Sequence, residues 1–267
     1  MDIICHTLTG TAVGTVVTSF SKKNIKYKLS IILLGTLGGA LPDFDAISLW
    51  SKFDTIIGSF IPLNNSGKQI YFGKFWYSHH AALHSFTVAF FIPLVYVFIN
   101  SILDNKSLNF LYKNYKLKLK SNCLKILSFS FGFTFHLLED MPTPHSVWGG
   151  VRFLFPYKKY FGGFGKIWWW NNYDLFLIII LCIALNLIVL LIPFLKLKKL
   201  TTSTIFILCS ILFIYQINTR KFDFNYTGHT RNYSTYEKKS KELQRDILGE
   251  KLYTILNKFD NSINLNF

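Results

Sequence analysis

Phe133-Thr134-Phe135-His136-Leu137-Leu138-Glu139-Asp140-Met141-Pro142-Thr143-Pro144 closes an apolar run that begins near Cys123. His136 and Asp140 stand four apart, so on a helix they share one face and point into the same small volume. Pro142 and Pro144 stop that helix just beyond them. An imidazole and a carboxylate at the end of a membrane-like segment are costly unless they pair or hold a metal. Working outward, the same combination recurs where other apolar runs end.

Composition sets the class. The chain is 51% hydrophobic, 18% aromatic and only 16% charged over 267 residues, which suits an integral membrane protein better than a soluble enzyme. A net charge of +15 would ordinarily suggest nucleic acid. Here the lysines sit in short loops between apolar runs, and no basic helix alternates with base-stacking aromatics, so no nucleic-acid partner is expected. Cys5, Cys123, Cys182 and Cys209 have no CxxC spacing; they read as small buried hydrophobes outside any disulfide framework. The first twenty residues have neither a basic start nor a small-residue cleavage site and read as part of the mature protein.

Residues 3–20 and 29–41 are apolar and glycine-containing, but the second run is short. Because a full span needs ~17–25 residues, the pair reads as half-buried or re-entrant. Residues 46–78 read as an interfacial loop with a turn signal at Asn64-Asn65-Ser66-Gly67. Spans follow His84, precede Asp140, and occupy 175–195 and about 201–217. The polar tail is expected to carry a helix over 237–259, with Leu248, Leu252, Ile255 and Phe259 on one face. The fold class is therefore all-α: a multi-pass helical bundle over 1–217 with a polar C-terminal tail over 218–267.

Threaded through a bilayer, the basic clusters at 22–28, 106–125 (with Lys106) and 196–199 (with Lys196) fall on one side. His6, Asp43, Asp45, His79, His84, His136 and Asp140 fall on the other, together with all six tryptophans, as an aromatic belt would. By the positive-inside rule the basic side is cytoplasmic and the acid–imidazole side extracytoplasmic. The mildly basic tail runs against that orientation, but long tails obey the rule poorly.

Imidazole and carboxylate ligands suit zinc, which when bound supplies an acidified water at neutral pH. Seven candidates exceed what one ion needs, so one or two divalent ions are expected, zinc or manganese. Paired ions suit phosphoester cleavage. Within Asp43-Phe44-Asp45 one carboxylate can bind metal while the other orients or deprotonates water; alternatively Asp43 caps a helix end after Pro42. Helical geometry alone pairs His80 with His84. Arg152, Lys158, Lys159 and Lys166 share the site side as attractors of an anionic headgroup or as interfacial anchors. His145 and His229 read as structural or surface residues, and Cys5, beside His6, is a weaker ligand candidate.

These stretches resemble the YdjM-like inner-membrane metal-dependent hydrolases, also described as LexA-binding hydrolases. The matching residues are His6-Thr7, Leu41-Pro42-Asp43-Phe44-Asp45, His79-His80-Ala81-Ala82-Leu83-His84-Ser85 and His136 through Pro144. His80 stands where that family usually has Arg, and Leu83 where it has Thr. The resemblance implies metal ligands at His6, Asp45, His79, His84, His136 and Asp140, with Asp43 catalytic. More distantly, the family is similar to the all-helical zinc-dependent phospholipase C group, which implies phosphoester hydrolysis on a lipid or lipid-linked substrate. The rivals from other classes are a non-catalytic membrane regulator using the cluster for structural metal or helix pairing, and a transporter relaying ions through it. The first predicts a closed ligand shell, the second polar residues near the bilayer midplane.

Overall fold

The apolar runs fold as helices with polar residues capping their starts. In the computed structural model, which describes residues 1–61, 63–104, 108–192 and 197–262, Asp2 accepts from Cys5 N at the start of α1 (Ile3–Ser19). Asn24 accepts from Tyr27 N for α2 (Ile25–Ala40). These caps satisfy backbone N–H groups that the first turn leaves unpaired. A 3-10 segment, Leu41–Leu49, continues α2. Short helices α3 (Phe53–Phe60) and α4 (Gly67–Phe72) follow, then α5 (Phe86–Leu103), α6 (Leu108–Asp140), α7 (Tyr173–Leu191), α8 (Lys198–Asn218) and α9 (Tyr233–Ser262). Among the described residues β-structure is confined to isolated bridges.

Among the described residues, four helical segments are long and apolar enough to cross a membrane: Ile25–Leu49, Phe86–Leu103, Tyr173–Leu191 and Lys198–Asn218. Their outward faces stay apolar and exposed, with Phe91, Leu191 and Leu208 all at least 60% accessible. That is what a lipid-facing surface requires. The expectation of a re-entrant second run is corrected here. Its helix starts at Ile25, inside the lysine loop, and its 3-10 continuation brings the segment to 25 residues.

α1 packs against α2, α6, α7 and α8, and glycines set how closely. A Cβ on Gly10 would lie 2.2 Å from Gly35 O, one on Gly39 2.2 Å from His6 O, and one on Gly38 2.2 Å from Phe129 O. The three backbones are in direct contact, as small residues allow between apolar helices. At the far end the basic segments converge: Lys23 Nζ donates to Ser121 O, Lys125 lies over the Tyr27 ring and Lys199 over Phe20. Lys106, Lys196 and the end of the 175–195 run lie outside the described residues.

Four expectations change. Trp148 and Trp168 are buried and belong to an internal aromatic layer, with Trp148 Nε1 donating to Tyr71 O, so the six tryptophans are not all belt residues. Cys123 is exposed and Cys209 half-buried, whereas Cys5 and Cys182 are buried. In α9, Gly249 takes φ 74°, ψ 159° and kinks the helix. The kink resets the register, so Ser240, Gln244, Tyr253 and Leu256 are buried while Leu252, Ile255 and Phe259 are exposed. Gln244 reads Asp174 twice, accepting from its N and donating to Oδ1, each at 2.9 Å. Arg220 donates to the same Oδ1 at 2.6 Å, a buried, hydrogen-bonded ion pair of the kind that fixes one packing geometry. The turn signal at 64–67 is a helix start, since Ser66 and Gln69 form a capping box for α4.

Candidate metal centre

The ends of α2, α6 and α5 opposite the basic loops meet the start of α1. His6 lies one turn into α1, His136, Glu139 and Asp140 in the last turns of α6, and Asp43 and Asp45 on the 3-10 continuation of α2. At three residues per turn, positions two apart diverge by roughly 120°. Asp43 Oδ1 thus lies 3.6 Å from both His84 Nε2 and His136 Nε2, whereas Asp45 turns to His79 Nδ1 (2.7 Å) and His84 Nδ1 (3.4 Å). Thr143, from the TP pair, donates through Oγ1 to Asp140 O at 2.6 Å and so holds the α6 terminus that carries the carboxylate.

All seven residues singled out in the sequence come together. Asp140 Oδ2 is 3.1 Å from His136 Nε2 and 3.8 Å from His84 Nε2, and its Oδ1 is 3.1 Å from His6 Nε2. The amine of Met1 also donates to Asp140 Oδ1 at 2.7 Å. The His6 and His136 rings stack at 3.7 Å, a spacing available because Gly39 lets α1 and α2 touch. Among the described residues, three groups have ligand atoms close enough to share an ion: His6, His136 and Asp140; Asp43, His84 and His136; and His79, His80 and His84.

Four of the five imidazoles donate through Nδ1, whereas His84 Nδ1 accepts from His80 N at 3.3 Å. His6 donates to Glu139 Oε2 at 2.8 Å, His136 to Gly39 O at 2.7 Å, His79 to Asp45 Oδ1 at 2.7 Å and His80 to Gly150 O at 3.0 Å. A donor Nδ1 leaves Nε2 as the lone-pair face, which is how metal-binding histidines are held. Buried and without hydrogen-bond partners are His6 Nε2, His84 Nε2, His136 Nε2, Asp45 Oδ2 and Asp140 Oδ2. Five such atoms in one place would each cost about 1–3 kcal/mol if left unsatisfied. The donor set fits a divalent cation.

His79 and His80 both enter the cluster, and His80 does meet His84, with ring centroids 4.8 Å apart and His80 N donating to His84 Nδ1 at 3.3 Å, but without a helix between them. The stretch is a turn leading into a 3-10 segment, Ala82–His84, and His80 has φ 61°. It is held there from several sides, with Arg152 N donating to His80 O at 2.9 Å and Trp148 lying 4.7 Å from its ring. Burial, together with His79 and His84, pushes His80 well below the usual imidazole range. Burial disfavours charge on His84 too, but Asp45 and Asp43 outweigh it and raise His84 to about 10.

Glu139 is a site residue that sequence reasoning missed. It is buried between His136 and Asp140 in the chain, yet it faces α1, where Thr9 Oγ1 donates to its Oε1 at 2.5 Å while its Oε2 receives His6. Glu139→Ala is therefore expected to weaken metal binding about 10–100-fold, the usual cost of losing such an orienting partner. Competition against a fluorescent chelator measures it; unchanged affinity would remove Glu139 from the centre. Arg152 is not an anion site: its guanidinium donates to Tyr157 O and Pro156 O and lies over Phe155. Lys158, Lys159 and Lys166 are exposed, His229 packs edge-on to Phe72, and Cys5 belongs to none of the three groups.

A cavity of about 810 Å³ reaches Asp43, His79, His80 and Asp140 and runs past Trp148 and Trp169 to α7 and α9. The family described as YdjM inner membrane protein matches residues 1–221. No curated protein and no solved structure matches the chain, and nothing in these comparisons supports the expected likeness to the phospholipase C group.

Proposed function

Since the chain belongs to the YdjM inner membrane protein family, we propose that it is a membrane-bound, metal-dependent hydrolase of a phosphoester or lipid-linked substrate. The observation that supports this most strongly is the set of five buried, unpartnered histidine and carboxylate atoms beside a cavity. His6, His136 and Asp140 would hold one divalent ion, zinc or manganese. His84 and His136 with Asp43, or His79 and His80 with His84, would hold a second. Such an ion supplies, when bound, Lewis acidity toward phosphoryl oxygens and an acidified water.

The chain's own residues do the rest. Asp43 has the most exposed carboxylate of the cluster, at 16%, and lines the cavity; it would orient the water and take its proton. Asp45 fixes His79, Glu139 fixes His6, and Gly39 O fixes His136, so the donor set is in place before substrate arrives. Trp148, packed on His79 and His80, closes one side against bulk water. By the positive-inside reading this end faces the extracytoplasmic side.

The test is turnover of a panel running from bis(p-nitrophenyl) phosphate to phospholipid vesicles, with zinc or manganese added to purified chain. Asp43→Asn is expected to lower kcat about 10²-fold or more, the usual worth of a positioned base, while retaining the ion of the His6, His136 and Asp140 group. Folded, metal-loaded protein that turns over no phosphoester would sink the hydrolase reading.

A further inference from the structure

The cavity does not end at the His/Asp cluster. One wall is built by α9, which lies beyond the family-matched residues: Tyr233, Leu256 and Phe259 face it, opposite Phe176 of α7 and Ile3 and Ile4 of α1. The aromatic path is continuous along it. Trp148 stands 5.8 Å from Trp169, Trp170 stacks on Tyr233 at 6.3 Å, and Phe176 meets Phe259 at 6.2 Å. One end thus presents carboxylates and imidazoles suited to a cation and its phosphoryl ligand. The other presents Phe176, Leu256, Phe259 and tyrosine rings, with Asn171 and Asp260 tied up by hydrogen bonds to each other and Glu237 and Lys241 at its edge, a lining whose apolar part favours hydrocarbon.

We propose that the cleft between α7 and α9 is a subsite for the hydrocarbon chain of an amphiphile whose phosphate head lies at the His/Asp cluster. The identity of the head rests on the hydrolase reading above; the chain subsite does not. The wall is preorganised, which limits the entropy lost on binding. Gln244 is doubly bonded to Asp174, Tyr173 Oη donates to Asp260 Oδ2 at 2.7 Å, and Asn171 Nδ2 donates to the same oxygen at 2.8 Å. The cleft borders the first turn of α7 at Tyr173 and Phe176, a helix itself long and apolar enough to span a membrane, so a lipid chain would enter sideways from the bilayer. Leu256 and Phe259 would then set which chains fit.

Full-length protein in phosphatidylcholine nanodiscs, stripped of metal, is photolysed with hexadecyl phosphate carrying a diazirine near its chain end. Adducts are mapped by peptide mass spectrometry. They are expected within 253–260 and 173–176, to fall about tenfold in Leu256→Trp, which fills the subsite, and to persist in Leu252→Trp on the exposed face. Excess unlabelled hexadecyl phosphate should suppress them and butyl phosphate should not; farnesyl phosphate as competitor separates isoprenoid from straight chains. Adducts confined to outward residues such as Phe91 and Leu208, or equal suppression by butyl phosphate, would overturn the proposal, even where Leu256→Trp fails to fold. Turnover is not read, so an absence of hydrolysis would count against the catalytic reading alone.

Discussion

Protein purified in detergent without chelator is expected to carry about one or two zinc or manganese ions per chain, and the His136→Ala, Asp140→Ala double variant to carry at least one fewer, since the His79, His80 and His84 group is the one left intact. The size of the effect follows from how the donors are shared. His136 belongs to two of the three groups, and Asp140 places one oxygen 3.1 Å from His136 Nε2 and the other 3.1 Å from His6 Nε2. Removing both dismantles the His6 group and leaves the Asp43 group with a single imidazole. Elemental analysis reads the result, with His145→Ala as a control outside the cluster. The His136→Ala change also deletes the bond to Gly39 O, so melting in detergent is followed in parallel. Wild-type protein that is folded and metal-free would leave the cluster as a structural network of paired acids and imidazoles.

The second large effect is expected at Gly39. Gly39→Ala would set a methyl 2.2 Å from His6 O and 3.1 Å from Gly10 Cα. Both obstacles are backbone, so neither can swing away as a side chain would. Overpacking usually costs about 1–3 kcal/mol. Here α1 and α2 must separate along their length, so the cost should reach at least about 3 kcal/mol against a typical total of 5–15. Separation also carries His6 away from His136, whose Nδ1 is held by Gly39 O, so metal should be lost with stability. Gly58→Ala is the comparison: it lies in α3, nothing stands within 4 Å of its added Cβ, and it should melt at or slightly above the parent temperature. Equal melting of the two variants would contradict the close contact.

The helices were legible because apolar runs, lysine loops and turn residues alternate along the chain, and each boundary is enforced by local chemistry that sequence displays. The ligand candidates were legible for a similar reason. His and Asp are conspicuous at the ends of apolar runs, where they need a partner, and the structure brings all seven together. Glu139 was hidden because its meaning depends on α1 lying across α6; in sequence it is one more acid beside Asp140. Helical spacing favours His80 and the family motif favours His79, and the chain brings both to His84 through a turn with positive φ. The buried face of α9 was misassigned because periodicity presumes unbroken helix, and Gly249 breaks it. The burial of Trp148 and Trp168 follows from tertiary packing, which composition does not encode.

At ~1.5 Å per residue the 33 residues of α6 make a rod of about 50 Å, well beyond the ~30 Å of a hydrocarbon core. Its lysine-rich half is held by the end of α5 and the start of α2, through Lys118 on Asn100 O, Tyr115 on Phe98 and Lys125 over Tyr27, and His136, Glu139 and Asp140 ride on the other end. A rod of this kind is a lever. Pivoting about its middle by about 5° shifts each tip by roughly 2 Å, more than the difference between the 2.7 Å bond of His136 to Gly39 O and the 3.6 Å separation of His136 from Asp43. The alignment of the donor set is thereby mechanically tied to the angle at which the opposite end of the molecule is held.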